Sequence, residues 1–233
     1  MSHSWSADDK GIAKAAAERA RRRAEQEAIA LHTTPPAVAQ LRLVRRSSMQ
    51  LVRPGPEHLA SYVAALECGW SADNERGVEA AREELSRIHA DAAAFLASME
   101  DREAKGPPVT LPDGSTAKRV PGFKRWLWDG EFCGSIGLRW QPGTTVLPPH
   151  CLGHIGYAVV PWKQRLGYAK SALRLILPEA KAVGLSYVEI TTDPDNIASQ
   201  RVIEANGGIL VEHFIKPQQF GCKPGLRFRI TFT

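Results

Sequence analysis

Two neighbouring stretches of sequence decide the fold: Gly153-His154-Ile155-Gly156-Tyr157-Ala158-Val159-Val160-Pro161, and then Gln164-Arg165-Leu166-Gly167-Tyr168-Ala169. The first is a nearly continuous apolar run, which is typical of a strand buried on both faces. The second opens a segment, 164–183, whose apolar residues recur at helical spacing. The segment 187–192 then predicts another strand. Strand, helix and strand make one βαβ unit, so we expect two parallel strands joined by a right-handed crossover.

The start of this predicted helix has the features of an anion site. A helix N-terminus presents unpaired N–H groups and the positive end of the helix dipole. Gly167 and Ala169 lack bulk, so the backbone can approach a ligand closely. Such a site suits a phosphate or a pyrophosphate. Neither the P-loop pattern nor the dinucleotide pattern G-x-G-x-x-G is present, and an ordinary tight turn is the alternative. Nearby positive charge comes from Lys163, Arg165, Lys170 and Arg174.

Turn and periodicity signals divide the rest of 49–233 into further elements. Asp129-Gly130 joins two strand-like runs and predicts a hairpin. The other segments are a strand at 51–53, helices at 56–67, 75–99 and 196–206, a long loop at 100–122, and strands at 209–215 and 226–232. We therefore predict one α/β (α+β) domain. Its sheet is mixed and mostly antiparallel, with a central parallel βαβ pair and flanking helices.

Residues 1–48 differ from the rest of the chain in composition. They are rich in Ala and Arg and hold nine Lys or Arg against five acidic residues, whereas the whole chain of 233 residues has a formal net charge of +5. We predict a flexible or helical N-terminal extension here and a domain at 49–233. Three interpretations stay open: a frayed solvated helix, a basic arm for nucleic acid or an acidic surface, and an upstream extension ahead of a true start at Met49.

The composition excludes several classes of protein. With 43% hydrophobic and 24% charged residues, the chain resembles an average globular protein. No run approaches the roughly 18 apolar residues of a membrane helix, and no secretory signal is visible. The four cysteines have no metal-type spacing, so we expect reduced thiols, no metal and a cytoplasmic protein. The nearly neutral body does not predict a nucleic-acid partner.

The six residues 164–169 look like the Q/R-x-x-G-x-G/A signature of the GCN5-related N-acetyltransferases, the GNAT superfamily. Downstream, 195–208 resembles the N-x-x-(A/S) helix of that family, which ends in a glycine. The order of elements from 50 to 232 also resembles the family, so the resemblance covers the whole body. Within the superfamily, His154-Ile155-Gly156-Tyr157 and 193–199 resemble a branch of bacterial acetyltransferases whose substrates are undefined.

The resemblance implies the GNAT fold, acetyl-CoA as co-substrate, and an acyltransferase. The implied reaction moves the acetyl group to a primary amine of a small molecule or a protein, by direct attack in a ternary complex. In the family, the fourth and fifth strands splay apart and the pantetheine inserts between them, while amides at the helix start hold the pyrophosphate. The same strand amides can polarise the thioester carbonyl. The implied cofactor-binding residues are Ala158, Val159, Val160, Gln164, Arg165, Leu166, Gly167, Tyr168, Ala169 and Asn196.

The attacking amine must be neutral, which calls for a general base because an alkyl amine has a pKa of about 10.4. The family often places Glu on the fourth strand or near the end of the fifth. This chain has His154 and Thr191 at those places, and Glu189 lies on the same face as Thr191. We take His154 as the first candidate and Glu189 as the second. A structurally bonded His154 and a salt-bridged Glu189 are the alternatives.

The departing thiolate can receive a proton from an acid. The family often uses a Tyr seven residues after the Asn, but that position is Ile203 here. Ser199 resembles the serine of the branch that acetylates ribosomal-protein N-termini, and it is our candidate donor. The alternative is a structural role, in which Ser199 lies in the first turn of the helix and hydrogen-bonds to the backbone.

The missing acid and base keep a second function open, a non-catalytic acyl-CoA-binding sensor. A further alternative makes 1–48 an arm that contacts RNA or the ribosome, on an enzyme that acetylates a ribosomal protein. A homodimer is left open. Candidate aromatic and acidic contacts for a cationic amine are Trp70, Glu79, Glu83, Trp126, Trp128 and Trp140.

Overall fold

The computed structural model describes residues 48–73 and 76–232. The described helices are α1 (Pro56–Glu67), α2 (Val78–Ala90), α3 (Ala92–Ala97), α4 (Tyr168–Ala182) and α5 (Ile197–Glu204). The strands are β1 (Gln50–Val52), β2 (Glu100–Asp101), β3 (Val109–Thr110), β4 (Thr116–Ala117), β5 (Gly122–Trp128), β6 (Phe132–Arg139), β7 (Ile155–Val159), β8 (Tyr187–Thr192), β9 (Ile209–Ile215) and β10 (Pro224–Thr231). The predicted extension at 1–48 lies almost entirely outside the described residues.

The strands form two main sheets. One has the order β1-β5-β6-β7, with β2 also paired to β5, and the other has the order β8-β10-β9. Every ladder in the two sheets is antiparallel. The hairpin predicted at Asp129-Gly130 joins β5 to β6, and Gly130 has a φ of 113°, a backbone conformation that favours glycine.

Two apolar layers cover the sheets. The first packs α4 against both sheets through residues such as Leu173, Ile176 and Val188, all of which are fully buried. The second packs α1 and α2 against the opposite face of the first sheet around Tyr62, Trp126 and Phe132. Alternation along each strand sends neighbouring side chains to opposite layers. Side chains at odd and even positions of β6 and β7 therefore lie on opposite faces of the sheet, and each can contact only the layer on its own face.

The predicted fold class is confirmed, since the described chain has mixed α and β elements with mostly antiparallel sheets. Two local predictions are wrong. The helix predicted over 75–99 is broken at Asp91, whose side chain accepts a hydrogen bond from the Ala94 N–H and caps a new helix. The loop predicted at 100–122 contains β2 and the small β3–β4 hairpin.

Candidate functional site

A cleft opens between β7 and β8, the two strands of the predicted βαβ unit. They meet where the His154 N–H donates to the Glu189 carbonyl over 2.7 Å. Gly153 lies close beside this junction, because a Cβ there would stand 3.0 Å from the same carbonyl. Beyond the junction the strands belong to separate sheets and form no ladder with each other. The expected parallel pair is therefore splayed, and backbone groups of β7 are left facing the gap.

The hydrogen-bond register of β7 decides which residues face the gap. The Val160 N–H donates to Cys133 and the His154 carbonyl accepts from Arg139, so even-numbered residues bond to β6. The backbones of Tyr157 and Val159 therefore point to the other side, into the cleft. Of the three residues predicted to bond the pantetheine, Val159 fits this geometry, whereas Ala158 and Val160 are directed to β6. The sequence analysis missed Tyr157, because only the pairing of β7 with β6 shows whether the odd- or the even-numbered backbone groups face the cleft.

The turn before α4 forms an exposed cradle of backbone amides. Gly167 caps the helix in the left-handed conformation with a φ of 81°, and Arg165 has a φ of 61°. Residues 164–167 are exposed, and a Cβ at Gly167 would meet no atom within 4 Å. Among the described residues, the N–H groups of Arg165, Leu166 and Gly167 have no acceptor. The first N–H groups of α4 add to them, so the donor set fits a diphosphate.

Partly buried ion pairs hold this cradle on the β5–β6 hairpin. Lys163 Nζ lies 2.8 Å from Asp129 Oδ2 and 2.6 Å from Glu131 Oε1, and the Tyr168 hydroxyl donates to Asp129 over 2.6 Å. Burial raises the pKa of Asp129, but hydrogen bonds from Lys163 and Tyr168 outweigh this effect and hold the pKa below its ordinary value. Two carboxylates neutralise Lys163, so its charge is not free for a phosphate, contrary to the sequence prediction.

His154 is fully buried and both of its ring nitrogens bond to backbone. The Glu189 N–H donates to Nδ1 over 2.9 Å, and Nε2 lies 2.9 Å from the Thr145 carbonyl. Burial lowers the pKa of His154, so the ring is neutral at physiological pH. Its only lone pair is already used at Nδ1. This geometry contradicts the prediction of His154 as general base and supports the structural alternative.

Glu189 lies on the face of β8 that points away from the α4 core, and it is salt-bridged, which is the alternative considered for it above. Oε1 accepts from Arg229 Nη2 over 2.7 Å and Oε2 accepts from Arg227 Nη1 over 3.2 Å. Each carboxylate oxygen keeps a second lone pair. Glu189 also lines an open cavity of about 630 Å³, together with Cys151 and both arginines. The side chain is thus accessible to a ligand or a water molecule from the cavity.

Asn196 and Ser199 lie at the start of α5, across the cleft from β7. Asn196 Oδ1 accepts from the Ser199 N–H over 3.1 Å and caps the helix. The side-chain Nδ2 of Asn196 has no acceptor among the described residues, so capping leaves it free to bind a ligand. The Ser199 hydroxyl lies 2.9 Å from the Tyr157 hydroxyl. Burial raises the pKa of Tyr157 to about 12, which keeps this phenol protonated.

The aromatic residues considered for the acceptor are mostly structural. Trp70, Trp126 and Trp140 are buried in the two cores. Glu83 pairs with Arg76 at 2.8 Å on the surface of α2. Trp128 alone of the four tryptophans is partly exposed, and it packs edge-on against His58.

Comparison with known proteins agrees with this geometry. The family model described as "Acetyltransferase (GNAT) domain" matches residues 49–209, more than half of the chain. The protein therefore belongs to the GNAT acetyltransferase family, and it is an acyltransferase by family membership. A comparison with curated proteins gives no match.

Among solved structures of low sequence identity, RimL has the same fold. RimL, a ribosomal L7/L12 alpha-N-protein acetyltransferase in complex with coenzyme A, has a TM-score of 0.51 and 12% identity, over 79% of this chain and 94% of that chain. RimJ from Mycobacterium smegmatis, in complex with CoA-disulfide, has a TM-score of 0.47 and 17% identity, over 78% of this chain and 81% of that chain. The Microcin C7 self immunity acetyltransferase MccE, in complex with acetyl-CoA and AMP, has a TM-score of 0.48 and 10% identity, over 79% of this chain and 92% of that chain.

Within 48–73 and 76–232, no helix is long and apolar enough to cross a membrane. In the same residues, no group of three or more His, Cys, Asp or Glu side chains is placed to hold a metal ion. All four cysteines are free thiols.

Proposed function

We propose that the protein is an acetyl-CoA-dependent N-acetyltransferase that moves acetyl to a primary amine by direct attack in a ternary complex. The observation that carries the proposal is the exposed left-handed turn at Arg165–Gly167, whose unpaired amides lie beside the cleft between β7 and β8. A diphosphate bound there would direct the rest of the cofactor into the cleft.

The cleft supplies the remaining contacts for a thioester substrate. The backbones of Tyr157 and Val159 offer the hydrogen bonds of a strand edge to the pantetheine. An N–H of this pair can also donate to the thioester carbonyl and stabilise the negative charge that develops on its oxygen. Asn196 would bind the pantetheine from the opposite side through its free Nδ2. The acetyl group would then lie between β7 and the start of α5.

The proposed reaction requires two proton transfers, one from the amine and one to the sulfur. We assign the general base to Glu189, since His154 has no free lone pair; it accepts the proton of the amine through a water molecule in the cavity. We assign the donor to Ser199. When Tyr157 donates to the Ser199 oxygen, the Ser199 proton is free to reach the departing thiolate. The C–N bond forms and the C–S bond breaks; the amine proton passes to Glu189 and then to solvent, sulfur takes the Ser199 proton, and Ser199 regains a proton from solvent through the Tyr157 hydroxyl.

The assay of the proposal is release of free thiol from acetyl-CoA, with a panel of amines and peptides and with mass spectrometry of the products. We expect thiol release to depend on the amine and to match the acetylated product. Glu189→Gln should lower turnover while CoA binding stays. Binding of CoA without turnover on any amine would instead favour the sensor function. The domain boundary at 48–49, the cytoplasmic location and a homodimer stay predictions.

A further inference from the structure

Two basic side chains lie on the face of the first sheet opposite α4. Lys124 of β5 is paired with Gly137 of β6, and Gly137 is paired with Gly156 of β7. A Cβ on Gly137 would stand 3.6 Å from Lys124 Cγ, and a Cβ on Gly156 would stand 3.7 Å from Arg139 Nη2. The two long side chains therefore cross the strands over two glycines. We call this surface, formed by Lys124, Arg139, Gly137 and Gly156, the glycine trough.

The cations of the glycine trough have no carboxylate partner among the described residues. Arg125 on the other face pairs with Glu100 and Glu179, and Arg227 pairs with Glu189 and Glu212. Burial raises the pKa of the Cys151 thiol, and the nearby positive charge of Arg139 opposes this effect, at the wall of the cavity that Glu189 lines. Lys124, Arg139 and Gly156 are all exposed. An unpaired guanidinium beside a cavity is suited to bind a carboxylate or phosphate in bidentate fashion.

The trough lies next to the proposed site of reaction. Gly156 immediately precedes Tyr157, whose backbone faces the cleft, and it follows the buried His154 by two residues. Gly156 is exposed in the middle of a strand, and the Arg139 guanidinium lies beside it. An amine that reaches the acetyl group from this face passes two positive charges. A purely cationic acceptor is repelled by them, whereas an acceptor with its own anion is attracted and oriented.

We propose that the acceptor is a small amine that also carries an anionic group, a carboxylate or a phosphate, and that Arg139 and Lys124 bind this anion. The inference rests on the proposed function and specifies its substrate class. It disfavours a lysine side chain in a basic peptide as the acceptor. Arg139 would act as the specificity residue, because its guanidinium reaches across to β7, and Lys124 would add charge one strand away.

The test compares matched acceptors that differ only in the anion. The pairs are α-, β- and γ-amino acids against their carboxamides, and phosphoethanolamine against ethanolamine, with a lysine-rich peptide as the cationic arm. We expect kcat/KM for an anionic member to exceed that of its neutral partner by about tenfold or more. Whether the carboxylate or the phosphate series shows the effect identifies the anion. Arg139→Gln and Lys124→Gln should each reduce the preference, and the double variant should abolish it.

Arg82→Gln is the matched control, since Arg82 is an exposed cation on α2 outside the trough, and it should keep the preference. CoA affinity reports that each variant is folded. Binding of the N-acetylated products in the presence of CoA, by calorimetry, gives a readout that needs no turnover. Equal use of both members, a preference for the peptide, or a preference that survives in the double variant would overturn the inference. If the proposed function itself is wrong, no amine will release thiol from acetyl-CoA, and that outcome is distinct from a loss of preference for anionic acceptors.

Discussion

His154 is held by backbone on both sides of its ring, and this bonding has a consequence for stability. Its folded pKa is lowered, so the unfolded chain takes up a proton more readily than the folded one. The stabilising contribution is complete above the unfolded pKa of about 6.5 and is lost as pH falls toward the folded value. We expect the free energy of unfolding to decline between pH 7 and pH 5, measured by denaturant titration.

His154→Gln separates the structural role from a catalytic one. The variant should be less stable at pH 7, because Gln cannot reproduce both backbone hydrogen bonds, and it should lose part of the decline in stability at acid pH. Where it is folded, its pH–rate profile should keep the acidic limb of the parent enzyme. A limb that disappears in His154→Gln would restore His154 as the base and contradict the geometry described here.

Tyr157 and Ser199 form the second residue-scale prediction. Tyr157→Phe removes only the hydroxyl that lies 2.9 Å from Ser199 Oγ, so the packing of the ring is retained. We expect kcat to fall by about tenfold or more with little change in the KM for acetyl-CoA. If the two hydroxyls act together, the double variant Tyr157→Phe/Ser199→Ala should lose little beyond Ser199→Ala alone. Additive losses would show that the hydroxyls act independently.

The hairpin between β5 and β6 positions the start of α4 through Asp129. Asp129→Asn removes the charge that Lys163 and Tyr168 contact, and the turn at Arg165–Gly167 should become less ordered. We expect CoA affinity to fall by about tenfold, because hydrogen bonds to a charged group are worth about 1.5–3 kcal/mol. Asp113→Asn, a change in the exposed β3–β4 turn, is the control for calorimetry. Unchanged affinity in Asp129→Asn would show that the cradle holds its shape without the hairpin.

Sequence patterns predicted elements well where the signal is local. Asp129-Gly130 specified the hairpin, because this signal depends on the backbone of a few residues, whereas α4 begins at Tyr168 and not at Gln164 as the periodicity predicted. The break at Asp91 was missed, although an Asp before three alanines can cap a helix.

The chemistry of the site was harder to predict because it depends on distant partners. The bonding of His154 requires Thr145 and the backbone of Glu189. The choice of Tyr157 and Val159 as cleft-facing residues requires the register of β7 on β6. The free charge of Arg139 is likewise visible only once the positions of the carboxylates are known.

At the scale of the whole molecule, two antiparallel sheets meet at one junction and leave a gap beside it. One end of the gap leads to the amide cradle at Gly167, and the sheet surface beside it carries Glu189 and the glycine trough. We assign the cofactor to the cradle and the amine to the sheet surface. Both assignments depend on the backbone amides around Gly167, which we propose bind the diphosphate of CoA.

The most direct test compares CoA binding by Gly167→Glu with binding by Gly184→Glu, using calorimetry. Both glycines have positive φ, 81° and 90°, and a Cβ at either meets no atom within 4 Å. The two variants thus carry a similar backbone strain at opposite ends of α4, but only one places a carboxylate in the cradle. We predict that Gly184→Glu binds CoA nearly as the parent does and that Gly167→Glu loses at least about a hundredfold in affinity. Equal affinities in the two variants would contradict it.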